Sequence, residues 1–196
     1  KEIVLTGIHT GSYSRGTNHD LTDLIEAMSK IEGLENIRIS SIEVTELDEK
    51  FMNMLKTNKK VCHHMHIPLQ SGSDKILKLM NRKTTKEDIL SKINMIRSNI
   101  PDATLRTSII VGFPGETEED FNELAEFIKE AQFDKLGVFT YSREEDTPAD
   151  KLPNHHDEET KVERQERLMM IQQGISEEKN NNKDKVYVIL DKFLDK

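Results

Sequence analysis

Apolar positions along the chain change repeatedly from strand-like runs of branched residues to residues at helical spacing. Each predicted strand is followed by a helix or by a loop long enough to hold one. This alternation favours an α/β fold with a parallel sheet, which right-handed crossovers curl toward a barrel. The predicted strands are 3–5, 37–42, 61–69, 105–111 and 136–141, and the predicted helices are 21–28, 48–55, 74–80, 86–96 and 118–131.

The clearest change from strand to helix runs from Thr107 to Thr117. Gly112 and Gly115 allow the backbone in this turn to approach a ligand closely. Thr117 is a favourable N-cap, and the acidic residues after it suit the N-terminal end of a helix dipole. Because ligands of α/β folds bind beyond the C-terminal ends of parallel strands, we expect the functional site at this edge of the sheet.

The character of the chain changes after Pro148. A polar loop is followed by a charged helix over 158–178, a linker over 177–185 and a last strand over 186–190. A single strand cannot bury itself, so it predicts the beginning of another domain. The predicted organisation is a truncated barrel over 1–150, a helical segment over 151–180, and a linker with the first strand of an incomplete small β-domain over 181–196.

Bulk composition narrows the class of protein. The net charge of −8 argues against non-specific electrostatic binding of nucleic acid by the chain as a whole. A single cysteine excludes an internal disulfide framework and fits a reducing cytoplasm. No apolar run has the roughly 20 residues that a membrane span needs, and no signal peptide precedes the first strand. The start at Lys1, directly before that strand, indicates a piece cut from a longer protein.

Several strings of residues carry a family resemblance. They are HIPLQSGSD from His66, IVGFPGETEEDF from Ile110, VFTYS from Val138, TGIHTGSYSRG from Thr6 and RISSIE from Arg38. Together they resemble the radical S-adenosylmethionine (SAM) methylthiotransferases over roughly residues 1–175. The last two are similar to the bacterial tRNA branch that inserts sulfur and a methyl group at C2 of N6-threonylcarbamoyladenosine beside the anticodon.

The resemblance implies a partial (β/α)6 barrel, SAM as cofactor, two [4Fe–4S] clusters in the parent protein and a C-terminal β-domain that binds tRNA. A cluster donates an electron to SAM, and the resulting 5′-deoxyadenosyl radical removes hydrogen from the base. This chain departs from the pattern, because Cys62 alone cannot replace the three or four thiolates of a cluster. The first barrel strand with its Cys-x-x-x-Cys-x-x-Cys loop is also missing. We therefore expect this piece to bind no cluster and to be inactive by itself.

The same resemblance suggests residues for the polar end of SAM. Arg106 is the candidate for the carboxylate, since a guanidinium fork matches it, although a surface salt bridge explains the residue equally well. Gln70 and Ser71 end a strand and suit the ribose or the carboxylate, or else form a turn with Gly72. Glu43 lies on one face of a predicted strand and suits the ribose or the amino group, or else caps a helix or forms a salt bridge.

The remaining candidates concern the adenine and the ammonium group. Val111 and Gly112 are expected to pack against adenine. Tyr141 and Phe139 either flank the base or belong to the core. Backbone acceptors for the ammonium group are expected at Thr6 and Gly7.

Other interpretations remain open. Cys62, His64 and His66 share a strand face and include zinc-ligand types, but a fourth ligand is not evident, so hydrogen-bonded histidines are preferred. A non-catalytic SAM- or nucleotide-binding module would explain the missing cysteines. A methylthiotransferase of another branch, which acts on isopentenyladenosine in tRNA or on a ribosomal protein, is a further alternative. An aldolase-like or phosphate-binding barrel is disfavoured, because Lys135 begins a strand rather than ending one. The exposed edge of a truncated barrel predicts a homodimer; no membrane partner is expected.

Overall fold

A computed structural model describes residues 1–14 and 16–181. Within these residues, five strands alternate with six α-helices and three short 3-10 turns. The strands are β1 (Glu2–Leu5), β2 (Asn36–Ile39), β3 (His64–His66), β4 (Thr104–Val111) and β5 (Lys135–Thr140). The helices are α1 (Leu21–Met28), α2 (Glu49–Thr57), α3 (Asp74–Leu79), α4 (Lys86–Asn99), α5 (Glu118–Ala131) and α6 (Glu158–Asn181). None of these helices is both long and apolar enough to cross a lipid bilayer.

The strands follow one another in chain order and pair in parallel. One ladder joins β1 to β2, and a second joins β3, β4 and β5. The two ladders meet through backbone hydrogen bonds, in which the Ile42 N–H donates to the His66 carbonyl at 3.0 Å and the Cys62 N–H to the Ile37 carbonyl at 2.9 Å. The predicted α/β fold with about five parallel strands is confirmed. Within the described residues the sheet is open, with β1 and β5 at its two ends.

Helix starts follow the local sequence closely. The Thr117 hydroxyl accepts a hydrogen bond from the Asp120 N–H, while the Asp120 carboxylate accepts from the Thr117 N–H, which is a reciprocal capping box. Thr85 caps α4 in the same way, and Asp48 caps α2 through its side chain. These caps satisfy N–H groups that have no partner inside the helix, so the predicted starts of these helices are close to the observed ones.

Three predicted boundaries are wrong. β2 ends at Ile39 rather than at residue 42, because the chain then turns into a 3-10 segment at Val44–Glu46. β3 covers only His64–His66 of the predicted 61–69; Pro68 has no N–H to continue the ladder. α6 continues to Asn181 and so replaces the start of the predicted linker. The rest of that linker, the strand at 186–190 and with them nearly all of the proposed domain 181–196 lie outside the described residues.

One face of the sheet is covered by helices, and the opposite face is partly exposed. Alternate residues of β4, from Leu105 to Val111, are buried. Leu105, Ile109 and Val111 join one hydrophobic cluster with side chains of the helices. The opposite face carries Arg106, which is exposed, and Phe139, whose exposed fraction is 57%. We call the second surface the open face; by strand register it includes Arg38, Cys62, His64, His66, Arg106, Ser108 and Phe139.

Gly72 lets the loop after β3 lie directly against α5. A Cβ atom at this position would overlap the ring of Phe127. Phe127 is buried and lies 6.3 Å from the ring of Phe133, so it has little room to move. The close approach therefore requires glycine for space rather than for an unusual backbone angle.

We expect Gly72→Ala to lower the free energy of unfolding by about 1–3 kcal/mol, since the core must shift to admit a methyl group. Gly174→Ala is the matched control, because a Cβ there meets nothing within 4 Å inside helix α6. That change should raise stability by about 0.5–1 kcal/mol. Denaturant unfolding of both variants measures the two effects, and equal changes would contradict this account of Gly72.

Candidate functional site

The C-terminal ends of the five parallel strands lie along one edge of the sheet. We call the segments that follow them the rim: residues 6–14, 16–20, 40–48, 67–73, 112–117 and 141–148. Most of the residues predicted to bind SAM belong to the rim. These are Thr6, Gly7, Glu43, Gln70, Ser71, Gly112 and Tyr141.

Arg106 does not belong to the rim. It precedes Val111 by five residues, or about 16 Å of extended strand. It is exposed on the open face, opposite His66 in the strand register. It has no ion-pair partner among the described residues. The structure therefore separates Arg106 from the other predicted SAM ligands, and it does not supply the alternative surface salt bridge either.

Glu43 is not inside a strand, because β2 ends at Ile39, so its predicted place on a strand face is wrong. The residue precedes the 3-10 turn Val44–Glu46, and its N–H donates to the Glu46 carboxylate at 3.1 Å. Its own carboxylate accepts a hydrogen bond from Arg82 at 2.6 Å. Such a salt bridge is the predicted alternative to a role of Glu43 in binding SAM.

Arg82 is the rim-facing residue that sequence reasoning missed. It lies in the connection between α3 and α4, and its guanidinium group donates both to Glu43 and, at 2.8 Å, to the Pro68 carbonyl. It thus ties the loop after β2 to the loop after β3. The available signal was an arginine in a short connection between two helices that follow the HIPLQSGSD string.

A polar cleft of about 860 Å³ opens beside this ion pair. Its lining comes from the loop after β1, the 3-10 turn after β2 and the connection 81–84. Glu46 holds the first of these in place: its carboxylate lies 2.8 Å from His9 Nδ1, and a side chain at Gly11 would overlap it. Glu43 and Arg82 both line the cleft. The cleft therefore presents a carboxylate and a guanidinium group side by side.

Gln70 and Ser71 have different surroundings. Gln70 has a φ of 73°, a left-handed conformation that is unfavourable for residues other than glycine. Ladder hydrogen bonds hold it there, since its N–H donates to the Ser108 carbonyl and its carbonyl accepts from the Ile110 N–H, each at 2.9 Å. Ser71 is fully buried and its hydroxyl accepts from the Ser73 N–H at 3.2 Å, so its side chain serves the turn.

The expected adenine contacts at the end of β4 need correction. The Val111 side chain is buried in the main hydrophobic cluster, so it packs on the helices rather than toward the open face. Gly112 has a φ of 70°, and a Cβ there would overlap the Lys161 side chain of α6. Gly112 thus has no side chain because helix α6 occupies that space. Only the backbone of Gly112 can contact a ligand.

Tyr141 packs into a small apolar cluster at the end of β5. Its ring meets that of Phe113 edge-on, with 5.2 Å between centroids. Its buried hydroxyl has no hydrogen-bond partner among the described residues, an arrangement that costs about 1–3 kcal/mol. Phe139 lies on the open face instead, while Thr6 and Gly7 are exposed at the start of the rim.

A buried ion pair fixes the turn after β4. Arg164 of α6 donates to Glu116 Oε1 at 2.7 Å, and the Gly112 N–H donates to the same oxygen at 2.9 Å. Both side chains are almost fully buried. Burial raises the pKa of the Glu116 carboxyl above its usual value, although the bonds from Gly112 and Arg164 act in the opposite direction. Glu116 thus differs from the acidic residues after Thr117, because it is the internal counter-charge of Arg164.

The histidines of the open face are hydrogen-bonded or desolvated. His66 Nε2 lies 2.9 Å from the Ser108 hydroxyl, as the interpretation without a metal expects. Burial and the nearby Arg106 lower the pKa of His66, and burial raises the pKa of the Cys62 thiol. No group of three or more metal-ligating side chains occurs in the described part of the chain.

Comparison with known proteins identifies relatives along the chain. The model of the Radical SAM superfamily matches residues 1–128. The ribosomal protein uS12 methylthiotransferase RimO of Clostridioides difficile (strain 630) is 53% identical over 97% of this chain and 44% of its own length. The tRNA-2-methylthio-N(6)-dimethylallyladenosine synthase of Alkaliphilus oremlandii (strain OhILAs) is 45% identical over 93% of this chain and 39% of its own length. The chain thus spans less than half of these relatives.

Among solved structures, the fold is similar to that of the radical SAM enzyme coproporphyrinogen III oxidase (HemN) from Escherichia coli. The TM-score is 0.59 over 71% of this chain and 32% of that chain. Because the two sequences are 19% identical, this likeness concerns the fold alone. It agrees with the predicted partial barrel of parallel strands.

We expect Arg164→Met to cost about 3–5 kcal/mol of stability at neutral pH, because it leaves the Glu116 carboxylate buried without a counter-charge. A carboxyl whose pKa is raised by folding is stabilised when protonated, so the loss should shrink as the pH falls toward the unfolded value of about 4.5. Thermal unfolding between about pH 5 and pH 8 measures this dependence. The double variant Glu116→Leu/Arg164→Met should recover much of the loss; a loss independent of pH would contradict the role of Glu116.

Proposed function

Because this chain belongs to the radical SAM superfamily and, within it, to the methylthiotransferases, we propose that the whole protein attaches a methylthio group to a macromolecular substrate. The observation that carries the proposal for this chain is the Glu43–Arg82 pair at the rim, beside a cleft of about 860 Å³. Cofactor and substrate are expected at this end of a parallel barrel.

The rim residues fit the polar end of SAM. The amino-carboxylate group of SAM carries both charges, and the cleft presents one charge of each sign. A guanidinium fork at Arg82 suits the carboxylate, and the Glu43 carboxylate suits the ammonium group. Arg82 therefore replaces Arg106 as the proposed carboxylate ligand, since Arg106 lies about five residues down its strand.

The rest of SAM is assigned to the other side of the rim. Gln70 is held in a strained left-handed conformation of the kind found at ligand sites. The backbone at Gly112 and the buried Tyr141 hydroxyl, which has no partner in the described part of the chain, offer contacts for the ribose and adenine. Thr6 and Gly7 contribute backbone only. These roles remain proposals that depend on SAM binding.

One molecule of SAM would supply the hydrogen-abstracting radical on one-electron reduction, with methionine as the other product, and a second, unreduced molecule would supply the methyl group, leaving S-adenosylhomocysteine. The residues of this chain bind and orient SAM. Arg82 and Glu43 hold its amino-acid end, while the turn 112–117 shapes the adenine side. Glu43 and Arg82 pair with each other in the unliganded chain, so both charges already lie at this site, and the amino-acid end of SAM would exchange with that internal pair.

The iron–sulfur clusters do not fit the residues of this chain. One cysteine cannot supply the thiolates of a [4Fe–4S] cluster, and burial raises the pKa of its thiol, which disfavours the thiolate. We propose that the cluster ligands belong to the more than half of the parent length that this chain does not span. By the same argument, the chain alone is proposed to be inactive.

The substrate is proposed from two separate observations. The TGIHTGSYSRG and RISSIE strings favour N6-threonylcarbamoyladenosine in tRNA. Their described residues lie in the rim after β1 and across the end of β2. The 53% identity to a ribosomal protein uS12 methylthiotransferase favours that protein as a second candidate. An acidic chain with a net charge of −8 is better matched to a basic protein than to RNA, unless other parts of the parent supply the RNA contacts. The cytoplasmic location and the homodimer stay predictions.

We expect Arg82→Ala to weaken SAM binding about tenfold or more, because it removes a charge-assisted bond to the carboxylate. Arg106→Ala is the matched control and should leave the dissociation constant unchanged. Calorimetric titration of this chain with SAM compares the two variants with the original protein. A greater loss in Arg106→Ala than in Arg82→Ala would restore the assignment first made from the sequence.

The choice of substrate is tested on the whole, cluster-bearing protein. Purified tRNA with N6-threonylcarbamoyladenosine, tRNA with N6-dimethylallyladenosine, and ribosomal protein uS12 are each incubated with SAM, reductant and sodium sulfide as the source of sulfur. Mass spectrometry should detect the added methylthio group on N6-threonylcarbamoyladenosine. Modification of uS12 alone would reject the tRNA proposal, and modification of none would reject the proposed activity.

A further inference from the structure

We propose that α6 is the positioning element of the adenine side of the SAM site, with Arg164 as the residue through which it acts. Arg164 touches no proposed ligand atom; it holds Glu116, which in turn holds Gly112. The inference rests on the proposed binding of SAM at the rim. It goes further by assigning the shape of one subsite to a helix about 50 residues away in the sequence.

The first argument is the geometry of the turn after β4. Glu116 Oε1 accepts from the Gly112 N–H at 2.9 Å and from Arg164 at 2.7 Å. Arg164 also donates to the Glu116 carbonyl at 3.2 Å, so it grips both the side chain and the backbone of that residue. The 112–116 turn is therefore closed by a carboxylate whose only charged hydrogen-bond partner, within the described residues, comes from α6.

The second argument is that α6 covers the same turn by packing. The aliphatic part of Lys161 lies where a Gly112 side chain would be, and its ammonium group lies 5.8 Å from the centroid of the Tyr141 ring. That ammonium group donates to Glu158 of the same helix at 2.6 Å. One side chain of α6 thus contacts both residues proposed for the adenine side.

The third argument is that α6 also fixes the neighbouring strand. The Gln165 side chain donates to the Val138 carbonyl of β5 at 2.7 Å. Lys161, Arg164 and Gln165 of α6 therefore set the turn after β4 and strand β5 relative to each other. Tyr141, which follows β5, donates its N–H to the Val111 carbonyl at 2.9 Å. The position of Tyr141 is therefore coupled to the end of β4.

A purely stabilising role does not explain this polar arrangement. Glu116 Oε2, Arg164 Nε and the Tyr141 hydroxyl are all buried without a hydrogen-bond partner among the described residues. A well-packed apolar contact would hold the helix at lower cost than a partly satisfied buried pair. The pair instead fixes one geometry of the Gly112 amide, which packing alone would leave adjustable.

Arg167 provides a matched control on the same helix. It pairs with Glu118 at 2.8 Å, and its guanidinium carbon lies 4.4 Å from the centroid of the Phe121 ring. Arg164 also lies over Phe121, at 5.6 Å. Arg167 makes no contact with Glu116 or Gly112, so the two arginines differ in whether they reach the turn.

The experiment titrates this chain with S-adenosylhomocysteine and, separately, with L-methionine, using calorimetry or ligand-observed NMR. Arg164→Lys keeps the charge but loses the fork, and we expect it to weaken S-adenosylhomocysteine binding about tenfold. Methionine binding should stay unchanged, because the amino-acid end is assigned to Arg82 and Glu43. Arg167→Lys should change neither constant. Hydrogen exchange of the Gly112 amide should accelerate in Arg164→Lys only.

A second pair of variants keeps the test decisive if Arg164→Lys does not fold. Lys161→Met retains the aliphatic cover of Gly112 and should bind both ligands normally, whereas Lys161→Ala should weaken S-adenosylhomocysteine alone. Equal loss of both ligands, or no loss in Arg164→Lys and Lys161→Ala, would overturn the positioning role. If the unchanged chain binds neither ligand, the proposed SAM site itself fails, and the inference fails with it.

Discussion

The buried ion pair between Glu116 and Arg164 is the interaction on which the contact between the rim after β4 and helix α6 depends. Two ionisable groups with almost no solvent contact are tolerated only because each provides the other's counter-charge and the Gly112 amide adds a hydrogen bond. The pair joins the turn after β4 to the last helix of the described chain. Without it, α6 would still be joined to β5 and the residues before it by Gln165 and Gln172, but no ion pair would join it to the turn after β4.

The sequence predicted what local rules control. Alternating periods identified the parallel α/β fold, and the cap at Thr117 located α5 from Glu118 to Ala131. The predicted rim followed from topology, because parallel strands bring their C-terminal ends together whatever their side chains. These features depend on neighbours in the chain, which a single sequence displays.

The residues that were misplaced depend on distant partners. Glu43 was placed in a strand because RISSIE alternates, but the chain leaves the sheet after Ile39 and the carboxylate meets Arg82, 39 residues later. Val111 was assigned to a ligand, although its place in the strand alternation turns it toward the helices. No local pattern in the sequence shows which face of β4 is covered by helices. Nor does it show that Gly112 must lack a side chain because Lys161 lies there.

Arg82 shares its guanidinium group between the Glu43 carboxylate and the Pro68 carbonyl. Any ligand carboxylate that engages this arginine must compete with an anion already in contact with it, so binding is an exchange of partners rather than the capture of a bare charge. Dissolved ions weaken both the pair that is lost and the pair that is gained. The affinity of such an exchange therefore depends only weakly on ionic strength. Because Arg82 also donates to the Pro68 carbonyl, the exchange is coupled to the loop after β3.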